Sequence, residues 1–299
     1  MAGRISIPAS VKRVLVPFWN KAHHLGWNAF DYLDATVHGR FERCNVCGRF
    51  RPMLYRRRVV RPRLEELWGL SPRLAQALAR KESTDCASCG SKLRSRRLVE
   101  VLLRLYPVGV PPAPARSLAE WVNDPEAQTL RIAEINLIDG VHDQLRKLRQ
   151  LAFSDYTPDA DRANIDSLIR SEDLTRLSYA DSSFDLVLTS ETLEHVPDLH
   201  AALRELRRVL VLGGRHIFTI PVMPGVARTF ARSVIRPDES IEDRAPRICH
   251  PGGDVGYPVF TEFGSDLPEV IERAGFEVEV FFGPPRESDL AQVYVARAI

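Results

Sequence analysis

Four of the five cysteines fall in two pairs of equal spacing, Cys44-x-x-Cys47 and Cys86-x-x-Cys89, each followed by a glycine (Gly48, Gly90). A two-residue gap lets both sulfurs of a pair meet one ion, and the glycine eases the tight turn. Two such knuckles predict a tetrahedral four-thiolate zinc site. The stretch 48–85 between them is longer than the roughly 15–20 residues usual in zinc ribbons, long enough to hold a helix. Disulfides are the rival reading, disfavoured in a cytoplasmic chain; a redox pair is another, but needs no second copy. A closed four-thiolate site has no open coordination position, so its expected role is structural. Cys249 stands alone and reads as an ordinary thiol.

A second set of chemistry-bearing residues lies in the other half: Glu134, Asp155, Asp173 with Leu174, Thr189-Ser190-Glu191, His195 and His250. These acids fall at or near the ends of short apolar runs. Open parallel sheets bind ligands beyond the carboxyl ends of their strands, and an acid about 20 positions after the first strand takes ribose hydroxyls. Asp155 follows Glu134 at about that distance. The basic run Arg56-Arg57-Arg58 with Arg61 and Arg63 lies between the knuckles; it suits an anionic partner such as RNA, or is simply a solvated face.

The elements that must position these groups change along the chain. The 299 residues carry 41 basic and 39 acidic side chains, unevenly placed. Residues 1–125 hold 22 Lys/Arg against 10 Asp/Glu; the remainder holds 19 against 29. Opposite charge predicts two functional units. Residues 1–40 read as a helical segment and 41–105 as the Arg-rich four-cysteine module, with helices over Leu64–Ala79 and Arg97–Leu105. Pro-rich YPVGVPPAPAR opens a linker spanning 106–126. From 127 onward strands alternate with helices: Leu130–Ile135, Leu151–Phe153, Phe184–Thr189 and Ile217–Ile220 as strands, Val141–Leu148 and a helix through Leu199–Leu210 ended by Gly213-Gly214. That alternation predicts a parallel sheet covered on both faces. After a helix over Ser265–Ala274, Glu277–Phe282 and Gln292–Ala296 have no crossover between them and should pair antiparallel. No apolar run approaches the roughly 18 residues of a membrane helix, and the expectation is a cytoplasmic protein with no membrane partner.

The stretch Glu172 to Pro221, EDLTRLSYADSSFDLVLTSETLEHVPDLHAALRELRRVLVLGGRHIFTIP, resembles class I S-adenosylmethionine-dependent methyltransferases of the type-11 group, most tellingly in DLTRLSYADSSFDLVL, LEHVPD and RVLVLGG. The resemblance covers about residues 129–299. It implies an α/β, Rossmann-like, mostly parallel sheet with a C-terminal antiparallel hairpin, here joined to a small N-terminal zinc-binding domain. It implies S-adenosyl-L-methionine as cofactor beside the structural zinc. It places Glu134 as the acid of the first motif, Asp155 on the ribose, Asp173 and Leu174 beside the adenine, and Thr189, Ser190 and Glu191 along the pocket. The first motif of that family is (D/E)-x-G-x-G-x-G, whereas this chain reads Glu134-Ile135-Asn136-Leu137-Ile138-Asp139-Gly140 and keeps only the acid and the last glycine. Asn136 tolerates the left-handed conformation and can replace a glycine; Ile138 cannot. Either the loop takes another path or cofactor binding is weakened.

Methyl transfer from a sulfonium needs an aligned acceptor, and an oxygen acceptor also needs a base. His195 and His250 are the catalytic candidates, with Asp254 and Tyr257 as further acceptor contacts in the insertion Val222–Phe263. The expected function is methylation of a hydroxyl on a small molecule or glycan. An RNA methyltransferase guided by the basic module, and a catalytically inactive methyltransferase-like scaffold, are the alternatives.

Overall fold

The computed structural model describes residues 33, 37, 41–55, 66, 68–109, 114–156, 169–222, 225–250, 256–283 and 290–299. The helical pattern expected over 1–40, apart from residues 33 and 37, the run Arg56–Arg63 and Asp254 lie outside them.

The first unit begins with a hairpin, β1 (Phe41–Arg43) against β2 (Phe50–Tyr55), whose turn carries the first cysteine pair. Helix α1 (Pro72–Ser83) follows, then β3 (Thr84–Cys86), which pairs antiparallel with β2 and so brings the second cysteine pair beside the first. Within the helix expected over Leu64–Ala79, Glu66 is helical, residues 68–70 are not, and α1 begins at Pro72, which disfavours helical backbone in the residue before it. Pro72 takes the first helical turn, and the Ser71 side chain caps it by accepting from the Leu74 N–H. Helix α2 (Leu93–Leu105) starts at the end of the second knuckle rather than at Arg97. The expected linker contains a helical turn, α3 (Leu118–Trp121), capped by Ser117, with Leu118 and Trp121 fully buried. Its first N–H groups donate to the carbonyls of Asn45 and Val46, so the linker is tied to the first knuckle.

The second unit runs β4 (Ile132–Ile135), a short helical turn α4 (His142–Leu145), β5 (Leu151–Ser154), β6 (Phe184–Ser190), α5 (Leu199–Val209) and β7 (Leu210–Thr219). An insertion of short antiparallel pieces follows: β8 (Phe230–Ala231), β9 (Ser233–Ile235), β10 (Ile241–Asp243), β11 (Cys249–His250), β12 (Tyr257–Pro258) and β13 (Thr261–Glu262). Helix α6 (Leu267–Glu272), β14 (Phe276–Phe281) and β15 (Val293–Ala298) complete the chain. The six-stranded sheet has the order β5-β4-β6-β7-β15-β14. Strands β4 to β7 are parallel, and β15 is antiparallel to both of its neighbours, β7 and β14. The expected terminal hairpin is present, with its second strand inserted between the first and the parallel set.

Three boundaries differ from expectation. Helix α5 stops at Val209, before Gly213-Gly214, because Leu210 already pairs with Phe184; the register then slips, and Gly213 takes φ 78° within the strand. The helix expected over Val141–Leu148 shrinks to one turn. The last helix has Asp266, not Ser265, at its N-cap position, without a side-chain capping bond, and Pro268 in its first turn.

Each sheet face buries its own apolar cluster. One packs Val187, Phe218 and Ala296 against Leu203 and Leu206 of α5 and Ile271 of α6. The other packs Ile132, Leu188, Ile217 and Val295 against Leu98 and Leu102 of α2 and Trp121 of α3. Fully burying a leucine is worth about 1.5–3 kcal/mol, so α2 supplies a large part of that face's cover.

Candidate functional site

The two knuckles are near copies. In each, the glycine N–H donates to the first cysteine's carbonyl (Gly48 to Cys44, 2.8 Å; Gly90 to Cys86, 2.9 Å), and both glycines take φ 73°. Cys44 Sγ lies 3.8 Å from Cys89 Sγ, and Cys47 Sγ lies 3.9 Å from Cys86 Sγ. All four sulfurs lie within 4.8 Å of one another. A tetrahedron of 2.3 Å zinc–sulfur bonds has edges of about 3.8 Å, so the four thiols can hold one zinc ion. Hydrogen bonds from Cys86 and then Cys89 hold the Cys44 thiol far below the usual range, and the bond to Cys44 pushes Cys86 up to about 11.

Beyond the carboxyl ends of β4 and β5 lies the loop read from the first motif. Asn136 takes φ 63°, the left-handed conformation a glycine would otherwise supply; its N–H donates to the Ser154 carbonyl and its Oδ1 accepts from the Tyr156 N–H. Ile138 is fully buried in the cluster beneath α2, which is how the loop accommodates a β-branched side chain. Glu134 is buried, and its oxygens accept from the Ile138 N–H (3.0 Å) and meet His142 Nδ1 (2.7 Å). It braces the loop. Gly140 has φ 68°, and a Cβ there would sit 2.6 Å from the Cys89 carbonyl oxygen, so the second knuckle rests directly on this loop.

The remaining predicted positions divide. Asp155 is half-buried at the end of β5; burial raises its carboxyl above the usual range, and its N–H donates to the Arg170 carbonyl. Asp173 caps its own turn, with Oδ1 accepting from the N–H and hydroxyl of Thr175, and Leu174 is buried in the core. Thr189 faces away from the loop: it is fully buried and bonded to His216 Nε2 at 2.9 Å. Ser190, on the opposite face, meets Thr219 Oγ1 at 2.8 Å. Glu191 takes φ 50° immediately after β6.

The residues that sequence reasoning missed come from the first unit. Arg94, at the start of α2, donates to Glu82 Oε2 (3.1 Å), Ser190 Oγ (2.6 Å) and Asp139 Oδ2 (3.3 Å). Lys81, at the end of α1, is fully buried with its Nζ 2.9 Å from Glu191 Oε1. Burial pushes the Glu82 carboxyl up, but Arg94, Lys81 and Lys92 outweigh it and hold it at about 2. The signal available beforehand was that two of only five lysines, Lys81 and Lys92, flank the second cysteine pair.

His195 and His250, 55 positions apart, are brought together. His195 Nε2 lies 3.2 Å from His250 Nδ1, and His195 Nδ1 lies 2.8 Å from the Pro258 carbonyl, which can only accept. The Nδ1 proton is therefore fixed there and the Nε2 lone pair faces His250. Burial lowers both imidazoles, His250 to about 3. Glu194 is fully buried against them, and burial, then the nearby Glu191 charge, raises its carboxyl well above the usual range. Tyr257 stands beside His195 with ring centroids 5.9 Å apart.

Residues 125–218 match the methyltransferase domain family. No curated protein matches the chain. Solved structures similar to it include an S-adenosylmethionine-dependent methyltransferase from Mesorhizobium loti (20% identity, 56% of this chain and 90% of that one, TM-score 0.38). Another is the Burkholderia thailandensis 1,6-didemethyltoxoflavin-N1-methyltransferase with bound 1,6-didemethyltoxoflavin and S-adenosylhomocysteine (16%, 56% and 70%, TM-score 0.37). A third is Streptomyces venezuelae DesVI (16%, 56% and 83%, TM-score 0.35). No helix among the described residues is long and apolar enough to cross a membrane.

Proposed function

We propose that this chain is an S-adenosylmethionine-dependent methyltransferase acting on a hydroxyl of a small molecule or glycan, with a methyltransferase domain over 127–299 and a structural zinc module over 41–105. The observation that carries the reading is the turn after β4, where Asn136 holds the left-handed backbone a glycine would take while Asp155 stands at the end of the adjacent strand. That pairing, at the carboxyl edge of a parallel sheet, is where a nucleoside's ribose and its attached chain are held.

The cofactor supplies a methyl group on a sulfonium, displaced in line by the acceptor oxygen. The protein's own residues do the rest. Asp155 accepts from the ribose hydroxyls, and the backbone at Asn136 leaves room for the chain between ribose and sulfur. Lys81 and Arg94 neutralise Glu191, Glu82 and Asp139 and keep the module closed over this edge. His195 and His250 are the candidate bases for the acceptor hydroxyl; burial lowers both imidazoles, which favours the neutral form and weakens each as a proton acceptor.

Calorimetric titration with S-adenosylhomocysteine tests the reading. Micromolar binding (Kd on the order of 1 μM) that is lost in Asp155→Ala supports it. A folded, zinc-replete protein that does not bind would leave the scaffold reading.

A further inference from the structure

We propose that Glu194, His195 and His250 form a second metal site, separate from the four cysteines, that takes a divalent cation of the zinc class and leaves one coordination position open. The three donor atoms already stand at coordination spacing. His195 Nε2 to His250 Nδ1 is 3.2 Å, and Glu194 Oε1 lies 3.6 Å from each. Bonds of 2.0–2.1 Å in a tetrahedron set their ends about 3.3 Å apart, so an ion among the three needs only small adjustments.

Two further observations point to a ligand. Both carboxylate oxygens of Glu194 are buried with no hydrogen-bond partner among the described residues. A buried, unpaired carboxylate is costly, and at 3.6 Å the two imidazoles are too far to satisfy it by hydrogen bonding. A cation in the gap does. The second observation is orientation: the Pro258 carbonyl holds the Nδ1 proton of His195 and aims Nε2 into the cluster, the outer contact that fixes a ligating imidazole. Lys81 is paired with Glu191 rather than with Glu194, so its ammonium does not fill the gap. Two imidazoles and one carboxylate suit zinc and its first-row neighbours; magnesium prefers an all-oxygen set.

Three protein ligands leave a fourth position for water or substrate, as in catalytic rather than structural zinc sites. Resting on the oxygen-methylation reading above, the cation refines the part given to the imidazoles there. The acceptor hydroxyl binds at the open position, its proton leaves to solvent as the cation lowers its pKa, and the resulting oxygen attacks the methyl carbon as the carbon–sulfur bond breaks.

Metal content separates the two sites. After equilibration with Zn2+ and removal of free metal, the wild-type chain should retain about two zinc ions, and His250→Ala and Glu194→Gln about one each. S-adenosylhomocysteine binding by both variants within about threefold of wild type would show that they remain folded. In Co2+-loaded protein the second equivalent should add ligand-field absorption without a sulfur-to-metal band. Retention of only one zinc by the wild type, or of two by folded His250→Ala, overturns the site. Two zinc ions in a chain that binds no S-adenosylhomocysteine would leave this site standing and remove the methyltransferase reading.

Discussion

Lys81 Nζ and Glu191 Oε1 lie 2.9 Å apart, an ion pair that joins the last turn of α1 in the four-cysteine module to the residue that follows β6. The lysine is fully buried and the acid only 13% exposed, and Lys81 also lies 3.4 Å from the Ile220 carbonyl. The pair fastens the module to the sheet edge where the proposed chemistry takes place.

Removing both partners should therefore cost less than the two single losses added together. Lys81→Met leaves Glu191 without its counter-charge and is expected to destabilise by about 3 kcal/mol, and Lys81→Met with Glu191→Gln by clearly less than the sum of the singles. Denaturant midpoints for the four species of the cycle check this. Additive losses would mean that the pair contributes no coupling.

The knuckle and the loop after Glu134 are in direct contact through Gly140. In Gly140→Ala the new methyl would meet the Cys89 carbonyl oxygen at 2.6 Å with the backbone at φ 68°, so backbone must move on one side or the other. The expected result is a loss of about 1–3 kcal/mol with weaker S-adenosylhomocysteine binding. Cys86→Ser should produce the same binding defect from the module's side. Normal binding in both variants would show that module and loop are independent.

Asn136 offers a test of the loop itself. At φ 63°, Asn136→Gly should be close to neutral in stability, while Asn136→Val should cost about 1–2 kcal/mol because a β-branched residue is poorly tolerated there. Thermal melts of the two variants distinguish a conformational role from one carried by the side-chain bond to Tyr156, in which case both would suffer alike.

Acid should destabilise the fold through His216, fully buried on β7 and lowered to about 3 by burial. The unfolded chain takes up this proton near pH 6.5 and the folded one only near pH 3. The stability present above pH 6.5 is therefore lost as pH falls through that window, at up to about 1.4 kcal/mol per pH unit. His216→Leu should be less stable at neutral pH, because Thr189 loses its partner, but should flatten the acid limb. An unchanged slope of stability against pH would refute the assignment.

Several features were legible in the residues because they depend on local geometry. Equal Cys-x-x-Cys spacing with a glycine after each pair is enough to make two matching knuckles, and both glycines adopt the same positive φ. Apolar runs of strand length separated by amphipathic stretches imply the parallel sheet, and the missing crossover after Phe276–Phe281 implies the antiparallel end. Asn136 was readable as a glycine substitute because asparagine tolerates the left-handed region better than most side chains.

What tertiary structure alone decided concerns contacts between distant segments. Nothing in the periodicity of Leu93–Leu105 says that its apolar stripe covers one face of the sheet, since a stripe specifies burial but not the partner. Thr189 and Ser190 are neighbours with the same chemistry, and only the strand's placement sends one to His216 and the other to Arg94. Lys81 and Arg94 reach the sheet edge because β2–β3 pairing and α2 packing carry them there. Glu194, beside His195 in sequence, becomes part of a donor set only when the insertion folds back and brings His250 to it. Spacing along the chain encodes which groups a turn or strand can present. Which of them meet is set by the burial of apolar faces, and that is a property of the whole fold.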